Sequence, residues 1–310
     1  MAIPTPAAYW DLPYTLEDAS RSRFLRLHAL PKSESESSNG TVVVIHGGYW
    51  KNQYGLDDPY GNAGTASLAP FFLSCGFTAV ELEYRRRDHE GGGWPGTNLD
   101  IMEALRYLCK LHVAATGNAC QDEASDPMSG LATSCKDAIR ALRLDKLILL
   151  GHSAGGCLAL WVAHQIAGQE DTSLAPCNVA FVMAMAPVAD LVHGYEMRLS
   201  DEGDAVEKYM KCAPHDDGAL KEYQKASPSA LLPLSFAALV AYGDKDTDVP
   251  PEHVAKYVAA ARETSSEKLT GLLVPEADHF DIVNAQSTAW KQSILPALVT
   301  LAGTHMGEDV

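Results

Sequence analysis

Gly151-His152-Ser153-Ala154-Gly155-Gly156 is the stretch on which the reading turns. It directly follows an apolar run at 146–150 and directly precedes a helix-forming run from Ala154, so it reads as strand, tight turn and helix. A serine at such a turn is held in a strained backbone conformation, and glycines two residues to either side let strand and helix approach without side-chain collision. Its hydroxyl then projects at the carboxyl edge of the sheet. A helix starting at Ala154 would aim backbone N–H groups and the positive end of its dipole at the same spot, where a developing oxyanion could rest.

Outward from this turn, short β-branched or apolar runs alternate with helix-period segments, the pattern of a mostly parallel sheet covered by helices on both faces. Strands are expected at 24–30, 41–45, 77–84, 146–150, 179–186, 237–242 and 269–274, and helices at 65–75, 98–113, 154–165, 251–263 and 285–301. The whole chain, 1–310, reads as one α/β domain. Three stretches interrupt the alternation. The polar 32–40 reads as an exposed hairpin loop, and 114–136, rich in Ser, Asp and small residues, as a surface loop insertion. The stretch 187–233 is too long for one crossover and mixes Tyr, Met and His with charges, so it reads as a cap-like insertion over the site.

Composition narrows the partners. With 24 Lys+Arg against 40 Asp+Glu the formal net charge is −16, which repels phosphate backbones and anionic lipid. Nucleic acid and membranes are excluded as expected partners; a small-molecule substrate is expected, and a homodimer stays open. No apolar run approaches the roughly 18–20 residues of a membrane span. The opening Met1-Ala2-Ile3-Pro4-Thr5-Pro6 has neither the basic start nor the apolar stretch of a signal peptide, so the expected location is the cytoplasm. The 7 cysteines are scattered without a C-x-x-C pair and read as reduced structural thiols. The 11 histidines show no H-x-x-x-H or H-E-x-x-H spacing on a helix, so no metal is expected.

A serine hydroxyl is a poor nucleophile near neutral pH and needs a histidine to take its proton and a carboxylate to orient that histidine. With the serine on a strand–turn–helix elbow, the chain order should be serine, acid, histidine. Gly243-Asp244-Lys245-Asp246-Thr247-Asp248-Val249-Pro250 follows a predicted strand, and Asp246 is its candidate acid; Asp244 and Asp248 read as turn or capping residues. Asp190 is the rival. His279, after the last predicted strand, is the candidate base. His152 should pack or hydrogen-bond beneath the nucleophile, and His112, His164, His253 and His305 read as solvated or satisfied residues on helical or terminal stretches. Upstream, His46-Gly47-Gly48-Tyr49-Trp50 follows the strand expected at 41–45. There the backbone N–H groups of Gly47 and Gly48 would join that of Ala154 in an oxyanion hole, with His46 bracing the loop. Arg85, Arg86 and Arg87 read as a solvated or salt-bridged loop.

With these residues assembled, the chain resembles α/β-hydrolases of the HGG-type esterase and lipase group over nearly its whole length. His46-Gly47-Gly48-Tyr49-Trp50 is similar to the HGGxW motif of kynurenine formamidases (arylformamidases), and Asp278-His279-Phe280-Asp281 resembles the segment around that family's catalytic histidine. The resemblance implies an α/β-hydrolase fold and hydrolysis of N-formyl-L-kynurenine to L-kynurenine and formate in tryptophan degradation, without metal or organic cofactor. Carried over, it makes Ser153 the nucleophile of a formyl-serine intermediate, Asp246 the acid and His279 the base, with Tyr49 and Trp50 shaping the acyl-side pocket. Two features depart from that family: the length of 114–136, and a cap region with no formamidase motif. An HGG-type carboxylesterase acting on a short-chain or specialised-metabolite ester would carry the same machinery. A non-catalytic binding module on this scaffold would often have lost a triad member, and here all three are present.

Overall fold

The structure is a computed structural model that describes residues 8–15, 22–28, 30, 38–58, 62–117, 126–168 and 171–307. Its strands are β1 (Tyr9–Pro13), β2 (Phe24–His28), β3 (Thr41–Ile45), β4 (Thr78–Glu83), β5 (Leu147–His152), β6 (Val179–Met185), β7 (Ala238–Gly243) and β8 (Leu269–Val274). They form one sheet of order β1-β2-β4-β3-β5-β6-β7-β8. β1 and β2 pair antiparallel to each other, β2 is antiparallel to β4, and every pair from β4 onward is parallel. This is the α/β-hydrolase fold expected from the sequence.

The central strands are apolar on both faces because both are covered. In β3, Val43 and Ile45 belong to the core cluster shared with Leu105 and Leu108 of α3 (Gly96–Thr116) and Leu158 of α5 (Ala154–Gly168), whereas Val42 and Val44 face the opposite cluster. There α2 (Leu68–Ser74) contributes Leu68 and Phe72, and the C-terminal helix Leu295–Met306 contributes Leu298 and Leu301. Each such Val or Leu, fully buried, stabilises the fold by about 1.5–3 kcal/mol relative to exposure.

Several boundaries differ from the sequence reading. β1 was not anticipated; its YWDLP has four positions exposed or half-buried, so an edge strand shows no apolar signature. The helix expected at 65–75 is split into α1 (Asn62–Thr65) and α2. The one expected at 285–301 gives way to a π-turn at Trp290–Ile294 followed by the helix Leu295–Met306. The insertion expected at 114–136 is helical at both ends, since α3 runs to Thr116 and α4 (Thr133–Arg140) begins before it closes. Cys135 and Ile139 are buried there, so core burial extends helix into a polar composition; residues 118–125 lie outside the described residues. Of the hairpin loop expected at 32–40, residues 32–37 also lie outside them. The stretch 187–233 folds into α6 (Leu191–Glu196), α7 (Ala205–Met210), α8 (Ala219–Ala226) and a 3-10 turn at Pro228–Leu231. Helix α9 (Pro251–Ser265) follows β7, and Leu295–Met306 is α10. Among the described residues no helix is long and apolar enough to cross a membrane.

Candidate active site

β3, β4, β5, β7 and β8 deliver the candidate residues to one place, the carboxyl ends of the strands, where α/β sheets bind ligands. Ser153 lies between β5 and α5 with φ of +57°, a left-handed conformation that costs a non-glycine residue about 1–2 kcal/mol. The surroundings hold it there. Its N–H donates to the Met185 carbonyl at 2.8 Å, and its own carbonyl accepts from the Cys157 N–H at 3.2 Å and the Val188 N–H at 3.3 Å. The turn closes only because Gly155 has no side chain: a Cβ there would stand 2.1 Å from the Ile45 carbonyl oxygen. The first turn of α5 therefore lies directly on the end of β3.

Asp246 and His279 meet as the chain order predicted. His279 donates from Nδ1 to Asp246 Oδ2 at 2.7 Å, and both are buried. Asp246 is held in turn by the N–H groups of Asp248 (3.0 Å) and Val249 (2.8 Å), which donate to its other oxygen. With Nδ1 committed to the acid, Nε2 is the ring nitrogen left for a further partner. His152 packs beneath, as expected: its ring centroid lies 4.4 Å from that of His279, and Nε2 donates to the His279 carbonyl at 2.9 Å. Burial, with the like charge of His279 behind it, pushes the His152 imidazole well below its ordinary pKa and keeps it neutral.

The neighbouring acids have other partners. Asp190 caps α6 by accepting the His193 N–H at 3.0 Å and pairs with Lys256 at 3.2 Å. Asp244 accepts the Glu276 N–H at 2.7 Å. The Asp248 carbonyl accepts a hydrogen bond from the Tyr49 hydroxyl. Burial raises the Asp248 carboxyl pKa and outweighs His279, which lowers it, while the charges of Asp246, Asp201 and Asp278 raise it further. Among the described residues, Asp246, Asp248 and His279 bring ligand-type atoms within 4.8 Å of one another. A cation there would have to displace the His279–Asp246 hydrogen bond.

The His46–Trp50 loop reaches Ser153 from the other side. Gly47 lies against the serine: a Cβ on it would stand 2.9 Å from Ser153 Cβ. Gly48 has φ of +103°, and Tyr49 and Trp50 follow at +51° and +55°, so the chain makes a tight left-handed turn immediately after β3. That turn is anchored by a residue the sequence reading passed over. Glu83, at the end of β4, faces His46 Nε2 at 3.3 Å and accepts from Arg86 at 2.6 Å, from the Leu56 N–H at 2.8 Å and from the Tyr84 N–H at 3.0 Å. Burial pushes the Glu83 carboxyl upward, but His46 and Arg86 together with the Leu56 N–H overcome it and hold the group down at about 2. The His46 ring stacks on Tyr84 at 4.4 Å, and the Tyr84 hydroxyl donates to the His46 carbonyl at 2.7 Å. Two carboxylates, Glu81 and Glu83, in an otherwise apolar predicted strand were the available signal, because a buried carboxylate demands a partner.

Part of the 187–233 stretch packs on this loop. Trp50 is fully buried and stacks on Tyr209 of α7 at 4.0 Å, so its indole faces α7 rather than open space. Tyr209 in turn donates to Asn98 at the start of α3. Lys51 pairs with Glu202 and Arg87 with Asp204 (3.2 Å), while Arg85 grips Asp100 at 2.7 Å. The arginine run is therefore salt-bridged, and two of its members are buried against the fold. His253 departs from its sequence reading: it is fully buried, stacks on His193 at 5.2 Å, and neither ring nitrogen has a hydrogen-bond partner.

The comparisons agree with this architecture. Esterase B from Lactobacillus rhamnosis superposes with a TM-score of 0.68 at 21% identity, covering 97% of this chain and 88% of that one. Thermogutta terrifontis esterase 2 gives 0.66 at 16% identity, covering 99% and 98%. A truncated carbohydrate esterase from gut microbiota gives 0.66 at 18%, covering 96% and 97%. At these identities the likeness is one of fold. No curated protein sequence matches the chain. Residues 107–297, which carry Ser153, Asp246 and His279, match the prolyl oligopeptidase family, Peptidase_S9, and the chain belongs to that family.

Proposed function

We propose that the protein is a serine hydrolase whose substrates are small carboxylic esters. The observation that carries the reading is the left-handed Ser153 turn, whose preceding residue His152 packs on His279, itself paired with an Asp246 pinned by two backbone N–H groups. His279 Nε2 removes the Ser153 proton as Oγ attacks the ester carbonyl, and Asp246 stabilises the resulting imidazolium. Backbone N–H groups of Gly47, Gly48 and Ala154 receive the oxyanion. Alcohol leaves with the proton returned by His279, and water activated by the same histidine then frees the acid from the acyl-serine. Membership of a serine-hydrolase family and likeness to several esterases support this reading.

A second reading rests on the HGGYW sequence at 46–50 and its resemblance to formamidases: N-formyl-L-kynurenine would be cleaved through a formyl-serine. A formyl group is the smallest acyl group, so a crowded site could select it on volume. Initial rates on short-chain nitrophenyl esters beside N-formyl-L-kynurenine, with Ser153→Ala as the blank, separate the two. The ester reading expects Ser153-dependent ester cleavage with the higher kcat/KM, and a formamide preference would replace it. Absence of Ser153-dependent turnover on both, together with no covalent labelling of Ser153 by an organophosphate, would remove the hydrolase assignment.

A further inference from the structure

Far from Ser153, Cys109 of α3 and Cys177, just ahead of β6, bring their sulfurs to 3.0 Å in a contact across 68 residues of sequence. Both are buried and both are free thiols. A disulfide needs the sulfurs at roughly 2.05 Å, so closure asks for about 1 Å of further approach between them. Access exists on one side. Cys177 lines a cavity of about 360 Å³ together with Val179, Phe236, Lys268 and His305, at the amino-terminal ends of β6 and β7.

We infer that Cys109 and Cys177 are a site of oxidative modification, closing to a disulfide when the chain meets a peroxide. In the first step the Cys177 sulfur attacks one peroxide oxygen, the O–O bond breaks, and Cys177 becomes a sulfenic acid with release of water. In the second the Cys109 sulfur attacks that sulfenic sulfur, the S–O bond breaks, the S–S bond forms, and a second water leaves with the Cys109 proton. Each peroxide is reduced by two electrons and the two thiols are oxidised by two. The hydrogen bond to Cys109, and then burial, push the Cys177 thiol upward, so closure is slow and depends on the nearness of the second sulfur. The link ties α3 to the connection before β6, at the end of the sheet opposite the Ser153 turn. It therefore stabilises the fold without touching turnover.

The test treats the folded full chain with hydrogen peroxide and maps its peptides without reduction. The exposed Cys75 reports that oxidant has reached the protein. The expected result is a dithiothreitol-reversible Cys109–Cys177 peptide pair, a thermal midpoint about 5 °C above the reduced form, and an unchanged initial rate on whichever substrate the protein turns over. Cys109→Ala and Cys177→Ala should each abolish the gain in midpoint. Oxidation of Cys75 while Cys109 and Cys177 stay thiols would overturn the inference, as would a link formed only in denaturant.

Discussion

Ser153 sits in a backbone conformation that glycine would adopt at no steric cost and that serine adopts only under constraint. Removing the hydroxyl and relieving the strain are separable. Ser153→Ala is expected to lower kcat by at least about 10³-fold with little change in thermal midpoint. Ser153→Gly should be equally inactive yet more stable than Ser153→Ala by about 1 kcal/mol, read from urea unfolding. Equal stabilities would mean that the turn is unstrained. Glu83 gives the second prediction at this scale. Its folded pKa of about 2 lies below the ordinary 4.5, so its contribution is fully present above pH 4.5 and is lost as pH falls toward 2. Glu83→Gln leaves His46 and Arg86 facing a neutral group and is expected to cost about 3–5 kcal/mol at pH 7. Unfolding curves of the two proteins should converge between pH 4.5 and 2.

At the scale of elements, α7 seats on the body through the core side chains Val206 and Met210 and through Tyr209, which stacks on Trp50. Tyr209→Phe keeps the stack on Trp50 and loses only the bond to Asn98, an expected cost of about 1–2 kcal/mol. Tyr209→Ala removes both and should cost about 3–5 kcal/mol, with KM raised as α7 loses its seat. Urea titrations and saturation kinetics on the same samples check both. The contrast between what sequence reveals and what it hides is plain here. The Ser153 turn, the His46–Trp50 loop and the loops bearing Asp246 and His279 were legible because each is a local pattern at the end of an apolar strand. Glu83 was not, since its meaning comes from His46 and Leu56, 37 and 27 residues away. Trp50 likewise reads as a pocket wall until Tyr209 is placed against it. β1 was missed because an edge strand carries no obligatory apolar alternation.

For the whole molecule, acid acts in two opposing ways. Protonation relieves the self-repulsion of a chain with net charge −16. Against this, burial, with the charges of His193 and Lys256 adding to it and that of Asp190 opposing it, holds His253 down at about 4, and burial holds His164 at about 4 as well. A histidine with a depressed folded pKa is neutral in the native state while the unfolded chain takes up a proton, so stability falls as pH drops from about 6.5 to 4. For the fully buried His253 this is about 3 kcal/mol. Net stability is thus expected to decline below pH 6.5 despite the falling charge, and His253→Phe should flatten that decline in a series of thermal melts. The contact between Gly155 and the carbonyls ending β3 has a further consequence, for recombination between relatives. Because it is made of main chain on both sides, it does not depend on which side chains either segment carries. Exchanging the amino-terminal portion through β4 with that of a distant homologue should therefore preserve the fit of serine turn to glycine loop, while the Tyr49–Trp50 pair travels with the exchanged piece.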